Sequence, residues 1–283
     1  MRLPILDDDQ LRALLNDDVP LGDLTTYLLG IGDKHGVITF SARQPMVVAG
    51  SEEAARLLEL SGAAVSALTG SGTLLHAGAP ILAASGPAAA LHRGWKVAQT
   101  LTEYASGIAT AARNIVDAAE AGRAGTAVVC TRKTMPGAKA ISVKAILAGR
   151  ALPHRLGLSE TILIFAEHRA FLGDETATET VARLRRAAPE KKVVVEVASI
   201  DEGLHWAAAG ADVIQTEKFS ADDVAALSAE LRAGQSRALI AAAGGINAGN
   251  AGAYAAAGAD IVVTSAPYSA KPLDVAVRIA AEG

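Results

Sequence analysis

The heptapeptide Thr131-Arg132-Lys133-Thr134-Met135-Pro136-Gly137 sets two adjacent cations directly after an apolar run and just ahead of a Pro and a Gly. Arg can clamp a carboxylate or phosphate with two parallel hydrogen bonds, and Lys acts as a point charge. Pro is well placed in a first helical turn, where its missing N–H costs nothing. The segment therefore reads as a strand end, a basic loop and a helix start. An isolated Arg-Lys pair is more often a solvated loop, but a second basic pair, His154-Arg155, stands just before the next apolar run. Two such clusters at the same relative place in successive units point to one anionic ligand. Two carboxylates follow, Glu196 inside Val193–Val197 and Glu217 directly after Asp212–Thr216. An acid in a buried strand is costly unless it is paired or bound to a metal. Each is either half of a structural ion pair or a grip on sugar hydroxyls or on Mg²⁺. Asp201 and Glu202 read as ordinary charges at a helix N-terminus.

Two later segments suit phosphate. Ala243-Gly244-Gly245-Ile246-Asn247 and Thr264-Ser265-Ala266-Pro267 each follow an apolar run, and the first opens a helix-like stretch. Glycines let backbone N–H groups approach a phosphate, and a helix N-terminus favours its charge. A Gly-Gly pair alone can also be a simple turn. Cys130 reads as a small buried hydrophobe, with no His placed to activate it.

These residues need elements that hold them. The second half repeats short β-rich runs at Thr126–Cys130, Thr161–Phe165, Val193–Val197, Asp212–Thr216, Leu239–Ala243 and Asp260–Thr264. Helical stretches such as Glu175–Ala187, Asp201–Ala209, Ala221–Leu231 and Ala248–Ala257 lie between most of them. That alternation predicts βαβ units and a parallel sheet. It fits an α/β fold, an incomplete (β/α) barrel of about six parallel strands, with a doubly wound open sheet as the competing architecture. Either way, ligands gather at the strand C-terminal ends. The first hundred residues differ. Gln10–Asn16 and Ser51–Leu60 are helical, Gly36–Val48 alternates like a strand, and Thr69–Pro87 has the tight turns of a small antiparallel sheet. The chain divides into an N-terminal α/β sandwich domain, residues 1–106, and a barrel domain, residues 107–283, bridged by the helix Arg93–Ser106.

Composition narrows the class. The 283 residues carry a net charge of −4, which argues against nucleic acid or an anionic membrane as the main partner. The single cysteine forbids an internal disulfide and suits a reducing, cytoplasmic setting. Met1–Gln10 has three aspartates and no signal-peptide pattern. The uncharged run Ala238–Ala259 contains five glycines and two asparagines and reads as strand, loop and helix, not a membrane span.

Taken together, the motifs resemble the quinolinate phosphoribosyltransferase (nicotinate-nucleotide pyrophosphorylase) superfamily along almost the whole chain. Gly22, Asp23, Thr25 and Thr26 match its early Gly-Asp-x-Thr-Thr motif, Ser106–Thr110 its Ser-Gly-Ile-Ala-Thr segment, and Thr131–Pro136 and His154–Ser159 its two basic motifs. The resemblance implies a pentosyltransferase that joins a nitrogen heterocycle to phosphoribosyl pyrophosphate with Mg²⁺ and releases pyrophosphate. It implies that Arg132, His154 and Arg155 bind the acceptor and that Lys133, Glu196 and Glu217 face the pyrophosphate, ribose or metal. Ala243, Gly244, Gly245, Ser265 and Ala266 would hold phosphate. It further implies a homodimer in which Lys96, in place of the family's Arg, reaches the neighbouring subunit's site. The chain departs from the family at Phe165, where a Lys is usual, at Glu217, where Asp is usual, and at Ala243, where Ser is usual. Thr134–Gly137, Ala151–Arg155 and Ile164–His168 instead resemble the ModD pyrophosphorylase branch, associated with molybdenum-transport genes. Three readings stand: a ModD-like phosphoribosyltransferase, in which Phe165 faces the acceptor; a true quinolinate phosphoribosyltransferase of NAD biosynthesis; and a non-catalytic oxyanion-binding or regulatory protein.

Overall fold

The computed structural model describes residues 6–282, so the first five residues of the Met1–Gln10 stretch lie outside the described residues. The chain forms two compact units. One holds the chain up to Arg113, the segment Thr134–Arg150 and the chain from Pro267, and the other holds Asn114–Lys133 and Ala151–Ala266.

In the first unit, α1 (Asp8–Asp18) and α2 (Leu24–Leu28) precede β1 (His35–Ala42), β2 (Met46–Val47), α3 (Ser51–Ser61), β3 (Ala64–Leu68), β4 (Leu74–Leu75) and β5 (Pro80–Pro87). The long α4 (Ala88–Gly122) runs out of this unit and into the second. Alternation in β1 buries Ile38, Phe40 and Ala42, which pack with Leu57, Leu58, Leu82 and Leu91. The expected single strand Gly36–Val48 is broken at Arg43–Pro45, where Pro cannot donate to a ladder. The four-stranded antiparallel sheet has the order β13-β1-β5-β3, its edge β13 (Val275–Ala281) coming from the end of the chain. The segment 134–150, with α5 (Lys139–Ala148), and β13 thus group with the first unit although both lie within 107–283. The helix Arg93–Ser106 is really the middle of the 35-residue α4. Gly107 does not end that helix. It is there for close approach, since a Cβ would come within 2.3 Å of the Lys271 carbonyl oxygen.

The second unit carries β6 (Ala127–Cys130), β7 (Leu152–Pro153), β8 (Ile162–Ile164), α6 (Ala166–Arg169), α7 (Ala177–Ala187), β9 (Val193–Val197), α8 (Ile200–Ala208), β10 (Val213–Glu217), α9 (Ala221–Ala233), β11 (Leu239–Ala243), α10 (Ala251–Ala256) and β12 (Ile261–Thr264). Helix starts follow their caps: Thr176, Ser199 and Ser220 each accept from an amide in the first turn. The strands form one sheet of order β7-β6-β12-β11-β10-β9-β8, with every pair parallel. The chain therefore winds in one direction, and its last strand, β12, returns to pair with its first, β6. That is barrel winding left open between β7 and β8, and it excludes the doubly wound alternative. Seven strands form instead of about six, because the two-residue β7 is too short to give a periodic signal. Among the described residues, no helix is long and apolar enough to cross a membrane.

Candidate functional site

Strand register builds the site. Glu196 pairs with Gln215 across β9 and β10, and Glu217 follows two residues later on the same face. Ala243 lies opposite Glu217 on β11, Val263 opposite Ala243 on β12, and Thr264 opposite Cys130 on β6. The His154 amide donates to the Cys130 carbonyl at 2.8 Å, bringing the second basic pair beside the first. The C-terminal ends of these strands enclose a cavity of about 390 Å³. Arg132, Lys133, His154, Arg155 and Phe165 line it, with Glu196 and Glu217, and with Ala243, Gly244, Gly245, Ser265 and Ala266. Of the residues expected to bind substrate, phosphate or metal, only Lys96 is not among its lining. Lys96 is exposed on α4, with its ammonium 3.3 Å from Gln99 on the same helix. Pro136 and Gly137 do not open a helix: they sit in a turn, and α5 begins two residues after Gly137.

The electrostatics divide the cavity. Arg155 is 8 % exposed, and its guanidinium lies 5.8 Å from the Phe165 ring centroid. Burial, then the neighbouring Arg132, lowers its pKa. Burial and Arg155 likewise lower the pKa of His154, favouring its neutral form. On β9, burial raises the Glu196 pKa. A 2.7 Å hydrogen bond from Gln215 Nε2 opposes that shift, and nearby Glu217 adds to it. The cavity thus holds cations from the ends of β6 and β7 and acids from β9 and β10, which suits a ligand with both anionic and hydroxyl groups.

The loop after β11 is shaped for backbone contact. Gly244 and Gly245 hold φ of 94° and 73°, in the left-handed region. A Cβ at Gly244 would come within 2.8 Å of the Lys218 backbone nitrogen, so no larger residue fits. Asn247 and Asn250 each donate to the Gly245 carbonyl at 3.2 Å, which fixes the turn and delays α10 to Ala251. Thr264 Oγ1 donates to the Ile246 carbonyl at 2.6 Å and ties this loop to the one after β12.

Glu202 and Cys130 have local, structural roles. Glu202 accepts from the Ala198 amide at 2.8 Å and pairs with Arg169 at 2.7 Å, a helix-terminal role. Cys130 is fully buried, and burial pushes its thiol up to about 12, so it is no nucleophile at neutral pH. Sequence reasoning missed Gln215, a 4 %-exposed cavity residue whose Oε1 has no hydrogen-bond partner among the described residues. The available signal was a polar residue two positions before Glu217 in an otherwise apolar strand.

Residues 23–106 match the N-terminal domain of quinolinate phosphoribosyl transferase, and residues 108–278 match its C-terminal domain. The chain belongs to the quinolinate phosphoribosyltransferase family. Within it, the chain is 50 % identical over 247 residues to the "Putative pyrophosphorylase ModD" of Rhodobacter capsulatus, covering 87 % of this chain and 95 % of that protein. It is 30 % identical over 279 residues to the nicotinate-nucleotide pyrophosphorylase [carboxylating] of Mycobacterium leprae, covering 96 % of each. The fold is that of the nicotinate-nucleotide pyrophosphorylase from Francisella tularensis, with a TM-score of 0.88, 23 % identity and 99 % of both chains covered. The family is one of pentosyltransferases, and this chain is an enzyme of that type, not a non-catalytic oxyanion binder.

Proposed function

We propose that this enzyme is a ModD-like phosphoribosyltransferase that joins the nitrogen of a heterocyclic acid to C1 of phosphoribosyl pyrophosphate and releases pyrophosphate. One observation carries the reading: a single cavity gathers three cations, two acids and two neutral loops at the ends of parallel strands. Arg132, neutral His154 and Arg155 would hold the acceptor, and Lys133 the pyrophosphate. Glu196 and Glu217 would accept from ribose hydroxyls and favour positive charge developing at C1. The Gly244–Gly245 and Ser265–Ala266 loops would receive a phosphate. The C1–oxygen bond to pyrophosphate breaks with its electron pair on the leaving group, and the acceptor nitrogen's lone pair forms the new bond. No protein nucleophile is needed.

The donor set fits Mg²⁺ of one kind. Among the described residues no group of three or more His, Cys, Asp or Glu forms a metal cage. Glu196 and Glu217 are two adjacent carboxylates whose mutual repulsion a divalent cation would relieve. Mg²⁺ bound by one or two carboxylates and substrate phosphates suits them, and when bound it would neutralise charge on the leaving pyrophosphate. We further propose a cytoplasmic homodimer in which Lys96 completes the partner's site, and a link to molybdenum metabolism.

The test is pyrophosphate release from phosphoribosyl pyrophosphate and Mg²⁺ with a panel of pyridine carboxylates. Release with an acceptor other than quinolinate supports the reading. Efficient release with quinolinate alone replaces it with quinolinate phosphoribosyltransferase. No release with any acceptor, and no binding of phosphoribosyl pyrophosphate, would remove it.

A further inference from the structure

Three non-glycine residues among those described hold positive φ: Arg150 at 69°, Lys218 at 58° and Gln235 at 54°. Arg150 and Gln235 each follow the end of a helix, α5 or α9, where a left-handed residue closes the last turn. Lys218 follows a strand, directly after the cavity residue Glu217. The turn itself is needed, because the Lys218 amide donates to the Ala243 carbonyl at 2.9 Å. Gly or Asn would make it more cheaply. What Lys adds is its side chain, and the ion pair with Glu217 does not explain that choice. At 3.7 Å, with the Lys218 side chain 79 % exposed, such a pair contributes little. The stem lies over the glycine loop, since a Cβ on Gly244 would meet Lys218 Cγ at 2.7 Å. From Ala243 to Ala270 the chain has no Lys or Arg, so both loops offer only neutral donors.

We propose that Lys218 is a further phosphate-binding residue, its ammonium moving from Glu217 onto the phosphate held at the Gly244–Gly245 loop and releasing Glu217 to the ribose. This rests on the phosphoribosyltransferase reading. The test compares wild type with K218N, K218G and K218R. Calorimetry with phosphoribosyl pyrophosphate and Mg²⁺ is run beside calorimetry with pyridine-2,3-dicarboxylate alone and beside thermal melts. Loss of one charge-assisted contact predicts roughly five- to tenfold weaker binding of phosphoribosyl pyrophosphate by K218N and K218G. K218R should stay near wild type, dicarboxylate binding should not change, and the Tm of K218N and K218G should hold or rise as the strain is relieved. Binding of phosphoribosyl pyrophosphate within twofold of wild type in K218N and K218G would overturn the assignment and leave the reading intact. Equal losses for both ligands would mean that the loop had collapsed, and would also overturn it. A wild type that binds no phosphoribosyl pyrophosphate would end the reading and the inference together.

Discussion

Replacing Phe165 with Lys tests whether this position sets acceptor choice. The ring lies 5.8 Å from the Arg155 guanidinium, which is 8 % exposed and already has its pKa lowered by burial and by Arg132. Two unit charges at that separation repel by about 3 kcal/mol at an effective dielectric of about 20. Position 165 is half-buried, so a Lys there can lean toward water, and about 1–2 kcal/mol is the realistic cost. Without ligand, Phe165→Lys should therefore melt roughly 2–8 °C below wild type. A pyridine dicarboxylate should reverse the sign, because the added ammonium makes a charge-assisted contact of about 1.5–3 kcal/mol, or roughly ten- to hundredfold in binding. The assay is the Tm with and without pyridine-2,3-dicarboxylate, followed by kcat/KM for quinolinate. Wild type should use quinolinate poorly and Phe165→Lys better. Efficient quinolinate use by wild type, with no gain and no ligand-dependent Tm recovery in the variant, would refute both the electrostatics and the role of Phe165.

Three further outcomes are expected. Lys144 is 1 % exposed and lies 2.7 Å from Glu52 and 2.5 Å from Glu53, so Lys144→Met should cost about 3–5 kcal/mol at pH 7 by leaving buried carboxylates unpaired. Burial would raise Glu52, but hydrogen bonds from Lys144 and Ser71 outweigh it and hold its pKa at about 2. The stability this gives wild type is complete above the usual Glu range and lost as pH falls toward 2, so denaturant titrations should show the gap to Lys144→Met closing over that window. Gly244→Ala, forced against the Lys218 backbone at positive φ, should abolish or sharply weaken phosphoribosyl pyrophosphate binding in calorimetry; unchanged affinity would show that the loop does not hold phosphate. The raised Glu196 pKa has the opposite sign from Glu52: stability is full below the usual Glu value and lost as pH rises through the raised one. In Mg²⁺-free buffer Glu196→Gln should thus be more stable than wild type at neutral pH, with the difference vanishing in acid, while activity falls; equal urea midpoints at pH 7 would contradict this.

How much the sequence disclosed depended on how local each signal was. The runs Val193–Val197 and Leu239–Ala243 coincide with β9 and β11, because apolar, mostly β-branched or alanine stretches between capped helices leave little choice. In a barrel the ligand site gathers at the strands' C-terminal ends and the loops that follow them. Finding the strands therefore found Arg132, Glu217 and Gly244, and the cavity collects them without any long-range inference. Signals failed where structure came from distant pairing. β7 is two residues long and exists only through the ladder to β6. β13 reads as an Ala-rich tail until β1 pairs with it from Gly36↔Ala281 to Ala42↔Val275. Gln215 was hidden by the apolar strand around it, although its spacing from Glu217 had already put it on the same face. Lys96 belongs to another category. The role proposed for it in a partner's site would leave no mark within one chain, so neither its spacing nor its 3.3 Å contact with Gln99 bears on that role. Its role is decided by mixing chains: a dimer of Lys96→Ala with a site-dead Arg132→Ala chain should recover activity at one site in two if Lys96 acts across the interface, and at none if it acts within its own chain.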